Sequence, residues 1–114
     1  MFFNPREESY ERLGTFGAPD SVGWADTGRM TLMRRKPDGR IELSAADGAS
    51  NPYLAFALLI YAGVDGVERG MSPDQIPVGQ PLARSLSEAK TACQESAFLK
   101  GILPREILRA YARS

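Results

Sequence analysis

The 114-residue sequence contains no histidine. Any mechanism that needs an imidazole base or an imidazole metal ligand from this chain is therefore excluded. A single cysteine, Cys93, rules out an internal disulfide. It sits among helix-forming residues and reads as a small core residue. Net charge is also missing: fourteen Lys and Arg balance fourteen Asp and Glu. No bulk field draws the chain to nucleic acid or to a membrane. Long apolar runs are absent too. The longest, Tyr53 to Val64, falls short of the ~20 residues that span a bilayer. Met1-Phe2-Phe3 gives way at once to Asn4, Pro5 and acidic residues, which is not the pattern of a signal peptide. The expected location is the cytoplasm. Gly14-Thr15-Phe16-Gly17 lacks the lysine of a phosphate-binding loop, and no serine or cysteine has a histidine base to activate it. The aromatic residues do not alternate with basic ones as a base-stacking platform would.

What is present suits one α+β domain over residues 1–114. Hydrophobic content of 43% and charged content of 25% are ordinary for a globular protein. Residues 1–19 read as polar and irregular, with one helical turn in Glu7 to Leu13. Residues 20–44 read as a small antiparallel sheet of about three strands: Ser21–Trp24, Arg29–Arg35 and Arg40–Ser44. Helices follow, so strands and helices are segregated along the chain. Asn51-Pro52 opens a helix over 51–69, with asparagine as cap and proline where no amide hydrogen is needed. Tyr53 to Tyr61 is apolar on every side, which predicts burial. Residues 71–84 carry four breakers and read as a connector. Residues 85–113 read as helices, introduced by the capping-box pattern Ser85-Leu86-Ser87-Glu88 and restarted at Pro104, with Ile107, Leu108 and Tyr111 inward.

The residues with chemical potential crowd one hairpin. Arg29, Arg34, Arg35, Lys36 and Arg40 fall within twelve residues. A solvated hairpin and an anion site both fit that cluster. Lys36-Pro37-Asp38-Gly39 suits a type I turn followed by a glycine bulge. That register sets Arg34 opposite Glu42; a loop without the bulge would oppose Arg35 to Arg40, two like charges. In the bulged register Arg34, Arg40 and Glu42 share a face, and Ile41 and Leu43 point to the core. Glu42 has two readings, a surface ion-pair partner or a metal ligand. A single carboxylate holds Mg²⁺ or Mn²⁺ poorly, because these ions want several oxygen ligands.

The run Asn51-Pro52-Tyr53-Leu54-Ala55-Phe56-Ala57, followed by Ala62-Gly63-Val64-Asp65-Gly66-Val67, resembles the long signature near the carboxyl end of bacterial glutamine synthetases. Arg40-Ile41-Glu42 stands the expected distance before it, and Asp47 falls where that family has an acidic residue. Trp24, Arg29 and Arg34 match in order and spacing. Ser9-Tyr10, Arg12-Leu13 and Ala18-Pro19 match upstream, and Ser85 to Ala89 resembles a late helix. The resemblance implies the carboxyl-terminal portion of a catalytic domain that joins ammonia to glutamate with ATP and Mg²⁺ or Mn²⁺. By position it implies that Arg12 contacts the substrate glutamate. Arg29 and Arg34 would stabilise the transferring phosphoryl group, Arg40 would support the nucleotide side, and Glu42 would ligate the metal. It further implies a homo-oligomer, or association with a full-length synthetase.

The departures from the family pattern bear on activity. Ser44 stands where the family has an arginine, and Gly17 where it has the glutamate that takes the ammonium proton. Gly28 and Met30 replace an asparagine and a serine beside Arg29, and the segment after Arg35 is cut to a tight turn. The other metal ligands belong to polypeptide upstream of the matching part. The expectation is a segment that is inactive alone, the alternative being a non-catalytic module of the same fold that self-associates or docks on a partner.

Overall fold

A computed structural model describes residues 1–15, 17–26, 31–75 and 78–113. The chain runs through α1 (Glu7–Glu11), β1 (Trp24–Ala25), β2 (Met33–Arg35), β3 (Ile41–Leu43), α2 (Pro52–Glu68), a short 3₁₀ turn (Pro73–Gln75), α3 (Leu86–Glu95), α4 (Ala97–Ile102) and α5 (Arg105–Arg113). The α+β reading holds. The sheet has the order β1-β2-β3, and β2 and β3 pair antiparallel. β1 pairs parallel with β2, so the sheet is mixed rather than wholly antiparallel. The first strand also begins later than expected; Ser21 makes an isolated bridge to Pro81 instead. Helix is richer than expected, because 85–113 breaks at Ser96. That residue is extended and its hydroxyl accepts the Leu99 amide at 3.2 Å, so it ends α3 and caps α4.

The β2–β3 turn follows the bulged reading. Gly39 adopts φ 87°, a left-handed conformation that glycine takes without steric cost. Its amide donates to the Lys36 carbonyl at 2.9 Å, and the Lys36 amide donates to the Arg40 carbonyl at 2.8 Å. Arg34 stands opposite Glu42 and Arg35 opposite Ile41. Ile41 departs from its expected place in the core: it is 66% exposed. It lies at the turn end of an edge strand, past the reach of the apolar cluster, while Leu43 farther along is half-buried.

The core gathers Phe2, Leu58, Cys93 and Leu103, with Leu54, Leu99, Ile107, Leu108 and Tyr111 packed around it. Cys93 is a buried core residue, as expected. Phe2 lies in a segment that reads as irregular, yet its ring meets Tyr111 at 4.6 Å between centroids. Asn51 caps α2, accepting the Tyr53 amide at 2.9 Å. Only one side of α2 is covered, through Ala55 and Leu58. The burial expected for 53–61 is therefore not found: Tyr53, Phe56 and Ile60 are 85%, 65% and 66% exposed. No described helix is long and apolar enough to cross a membrane.

Two truncations separate the buried from the exposed apolar positions. Leu58→Ala should cost about 2–4 kcal/mol in urea unfolding followed by circular dichroism. Ile41→Ala should stay within about 0.5 kcal/mol of the parent.

Candidate functional site

The hairpin delivers three charged side chains to one face. Residues two apart on a strand share a face, and directly opposed residues are neighbours. Arg34 is directly opposite Glu42, and Lys36, two residues on from Arg34 just past the end of β2, reaches the same carboxylate. One Arg34 nitrogen lies 3.2 Å from each Glu42 oxygen, and Lys36 Nζ lies 3.2 Å from Glu42 Oε2. The Lys36 contact, with Arg34 beside it, holds the Glu42 carboxyl below the usual carboxylate range. Arg34 is half-buried and its Nε has no partner among the described residues.

The remaining cations of the hairpin are turned to other tasks. Arg40 does not join Arg34 and Glu42. Its Nε donates to Asp38 at 2.6 Å within the exposed turn, because the type I geometry brings Asp38 back to the amide and side chain of Arg40. The same contacts push the Asp38 carboxyl down. Arg35, on the other face, stacks over Trp24 at 5.6 Å and pairs with Asp26 at 2.8 Å. Arg29 lies outside the described residues.

Arg12 belongs to a second locus. It is the C-cap residue of α1, and its Nη2 donates to Asn4 Oδ1 at 3.0 Å and to the Ala45 carbonyl at 2.8 Å. Its Nε is buried without a partner, and no carboxylate pairs with it among the described residues. It lines an open polar hollow of about 640 Å³ together with Arg6, Ser9 and Asp47. Asp47 is held there by the Ser9 hydroxyl, by the Ala49 amide at 2.7 Å and through its own amide to the Phe3 carbonyl at 3.0 Å. Tyr10 supports the same corner by donating to the Asn4 carbonyl at 2.8 Å. Burial, then the nearby Glu7 and Asp47 charges, push its phenol up to about 12.

The structure thus joins Arg34 with Glu42 and places Arg12 and Arg40 elsewhere. The sequence reading placed Lys36 in the basic cluster but did not pair it with Glu42, and it gave Asn4 and Ser9 no role in a site. Lys36 was findable, since it lies two residues from Arg34 on the same face. Asn4 and Ser9 act through tertiary contacts with 45–47, which no local pattern announces.

Divalent metal does not fit the described residues taken alone. Both Glu42 oxygens are engaged by cations. Among the described residues no group of three or more His, Cys, Asp or Glu could hold an ion. Mg²⁺ and Mn²⁺ need several oxygen ligands.

Known proteins resemble this chain over its whole length. The family model for the glutamine synthetase catalytic domain matches residues 1–114. Glutamine synthetase of Methanococcus maripaludis is 43% identical over 74 residues, 60% of this chain and 17% of that protein. The synthetase of Methanocaldococcus jannaschii is 37% identical over 92 residues, 76% of this chain and 20% of that protein. A solved GmaS/ADP complex superposes with a TM-score of 0.82 at 27% identity, over 98% of this chain and 30% of its own. GmaS without ligand gives 0.79 at 30% identity, over 98% of this chain and 28% of its own. The chain spans a fifth or less of the length of these curated relatives.

The Tyr10 environment predicts a titration. The parent-minus-Tyr10→Phe tyrosinate absorbance should rise with a midpoint near 12. An unfolded tyrosine ionises near 10, so this raised group contributes stability below about pH 10 that is lost as pH climbs toward 12. Tyr10→Phe should also lose about 1 kcal/mol at neutral pH, from its hydrogen bond.

Proposed function

We infer, because the chain belongs to the glutamine synthetase catalytic-domain family, that it is a carboxyl-terminal segment of an ATP-dependent carboxylate–amine ligase and is inactive as an isolated chain. The observation that carries the ligand side of this reading is Arg12. It is a half-buried guanidinium that has no carboxylate partner among the described residues and lines a polar hollow, with its Nε buried and unpartnered. A planar guanidinium in that state suits a substrate carboxylate, which it can meet with two parallel donors. Asn4 and the Ala45 carbonyl hold one end of the group, leaving the rest to orient the ligand.

The hairpin supplies the phosphoryl side. Guanidinium groups aimed where charge develops stabilise phosphoryl transfer without covalent chemistry of their own. Arg34 takes this role, with Glu42 and Lys36 fixing its direction; Arg29 shares it by position. Arg40 flanks the nucleotide side from the turn. A GmaS of the same fold is known with ADP, which supports an adenine nucleotide as the parent's ligand. A role for Glu42 as a metal ligand requires further carboxylates from outside these 114 residues.

The reading of inactivity is supported by what the described residues do not provide. No group of carboxylates or imidazoles assembles a metal site among the described residues. Ser44 and Gly17 stand where the family pattern has an arginine and a glutamate. The second reading, a non-catalytic module that self-associates or docks on a full-length synthetase, rests on the exposed apolar side of α2.

Two measurements test the first reading. Incubation with ATP, glutamate, hydroxylamine and Mn²⁺ should yield no hydroxamate above buffer; clear turnover would reject isolated inactivity. L-glutamate in the millimolar range should shift the Arg12 Nε–H resonance, and Arg12→Gln should abolish every glutamate-induced shift around the hollow. An unmoved Arg12 signal removes its assigned role.

A further inference from the structure

Asn4 is a polar residue that the fold buries: it is 7% exposed. A buried amide costs free energy unless it is hydrogen-bonded. Its Oδ1 accepts from Arg12 Nη2 at 3.0 Å. A guanidinium only donates, so the oxygen of the amide, not its nitrogen, must face it. The backbone around Asn4 is fixed as well. Its carbonyl accepts the Tyr10 hydroxyl at 2.8 Å, and the preceding Phe3 carbonyl accepts the Asp47 amide at 3.0 Å. Phe2 is seated in the core, and Pro5 narrows the conformations of the residue before it. A long, flexible arginine is thus met by a short side chain on a fixed backbone. These contacts are buried or partly buried within the chain, so they do not depend on what surrounds it.

The chemistry of the partner carries the inference further. Both acceptors at Arg12 Nη2, the Asn4 amide and the Ala45 carbonyl, are neutral. Arg34, Arg35, Arg40 and Arg69 instead each meet a carboxylate. Aspartate has nearly the shape of asparagine and would accept from Arg12 through a stronger, charge-assisted bond. Anchoring alone would therefore favour aspartate. The amide gives up part of that strength and leaves the positive charge of Arg12 uncompensated.

We propose that Asn4 is a positioning residue for Arg12, fixing the direction of the guanidinium through a neutral acceptor and so keeping its charge available to a carboxylate ligand. The charge half of this rests on the ligand role given to Arg12 above; the directional half does not.

NMR of the Arg12 guanidinium nitrogens in the ligand-free 114-residue chain tests the direction. A hydrogen bond at Nη2 slows rotation about its bond to Cζ. Exchange between the two Nη signals should be about tenfold faster or more in Asn4→Ala, the loss of one such bond, and as slow as in the parent in Asn4→Asp. Asn4→Leu, similar in shape to asparagine and without the acceptor, takes the place of Asn4→Ala should that variant unfold. Titration with L-glutamate tests the charge. Asn4→Asp should keep the far-UV circular dichroism of the parent yet weaken glutamate binding, followed at the Arg12 Nε–H, by about tenfold or more, because its carboxylate competes for the guanidinium. A packing role alone would leave that affinity unchanged. Nη exchange that Asn4→Ala or Asn4→Leu does not quicken overturns the positioning. Undiminished glutamate affinity in Asn4→Asp overturns the charge half. A parent that ignores glutamate removes the ligand role of Arg12 and the charge half with it, while the Nη comparison still decides the direction.

Discussion

Leu58 meets Phe2, Cys93 and Leu103 at the centre of this molecule, and those four residues come from distant parts of the chain. α2 has 17 residues, and most of the stability of a helix in a protein comes from packing of its apolar face rather than from propensity. Burial of Leu58 is what ties it to the rest. Each fully buried side chain of this kind contributes roughly 1.5–3 kcal/mol of transfer free energy, so few groups hold the elements in place. Phe2 transmits that hold to the polar side. Once Phe2 is seated, the next residue's carbonyl receives the Asp47 amide, and Asn4 comes within 3.0 Å of Arg12. The hollow around Arg12 is thus positioned by an apolar contact that shares no residue with it.

The hairpin depends less on the core and more on local geometry. Gly39 in the left-handed region closes the turn and sets the register. That register decides which charges meet. Arg34, Lys36 and Glu42 converge, whereas Arg40 is captured by Asp38 inside the turn. Three of the described arginines of this region therefore have carboxylate partners before any ligand arrives. Among the described residues Arg12 has no carboxylate partner, unlike those three arginines.

Local rules read the hairpin turn, the Asn51 cap, the Ser85 cap and the Cys93 burial correctly, because each is decided within a few residues. The α+β class and the family were legible for the same reason, through ordered segments and a specific signature. Three readings needed tertiary information. Apolar residues around the whole circumference of Tyr53–Tyr61 signal burial only if something covers both sides, and here Phe2, Cys93 and Leu103 reach one. Ile41 alternates correctly with Glu42, but its end of β3 extends past the core. Met1 to Asn4 looked like an irregular leader, yet Phe2 is among the most buried residues. At the site, Arg34 and Glu42 were paired from register alone. Arg12 was placed by resemblance, and its separation from the hairpin could not be read from spacing.

The Glu42 cluster and the exposed apolar side of α2 differ in how far the described residues meet their demands. A carboxylate among cations is stabilised by them, and a metal ion competing for it must displace both Arg34 and Lys36 or be helped by further oxygen ligands. The tight turn brings Lys36 close enough to take up that position, so the chain meets the charge on Glu42 from its own resources. α2 lacks the apolar counterpart of such an internal partner. Its outer side carries Tyr53, Phe56 and Ile60 into water with no side chain of the described residues folded over them to bury them. Polar side chains can be satisfied by a lysine two residues along a strand, because charge acts through a single contact. Apolar surface needs an area of matching shape, and the core cluster around Leu58 reaches the other side of α2. The electrostatic demand is therefore met inside the chain, while the apolar side of α2 stays exposed among the described residues.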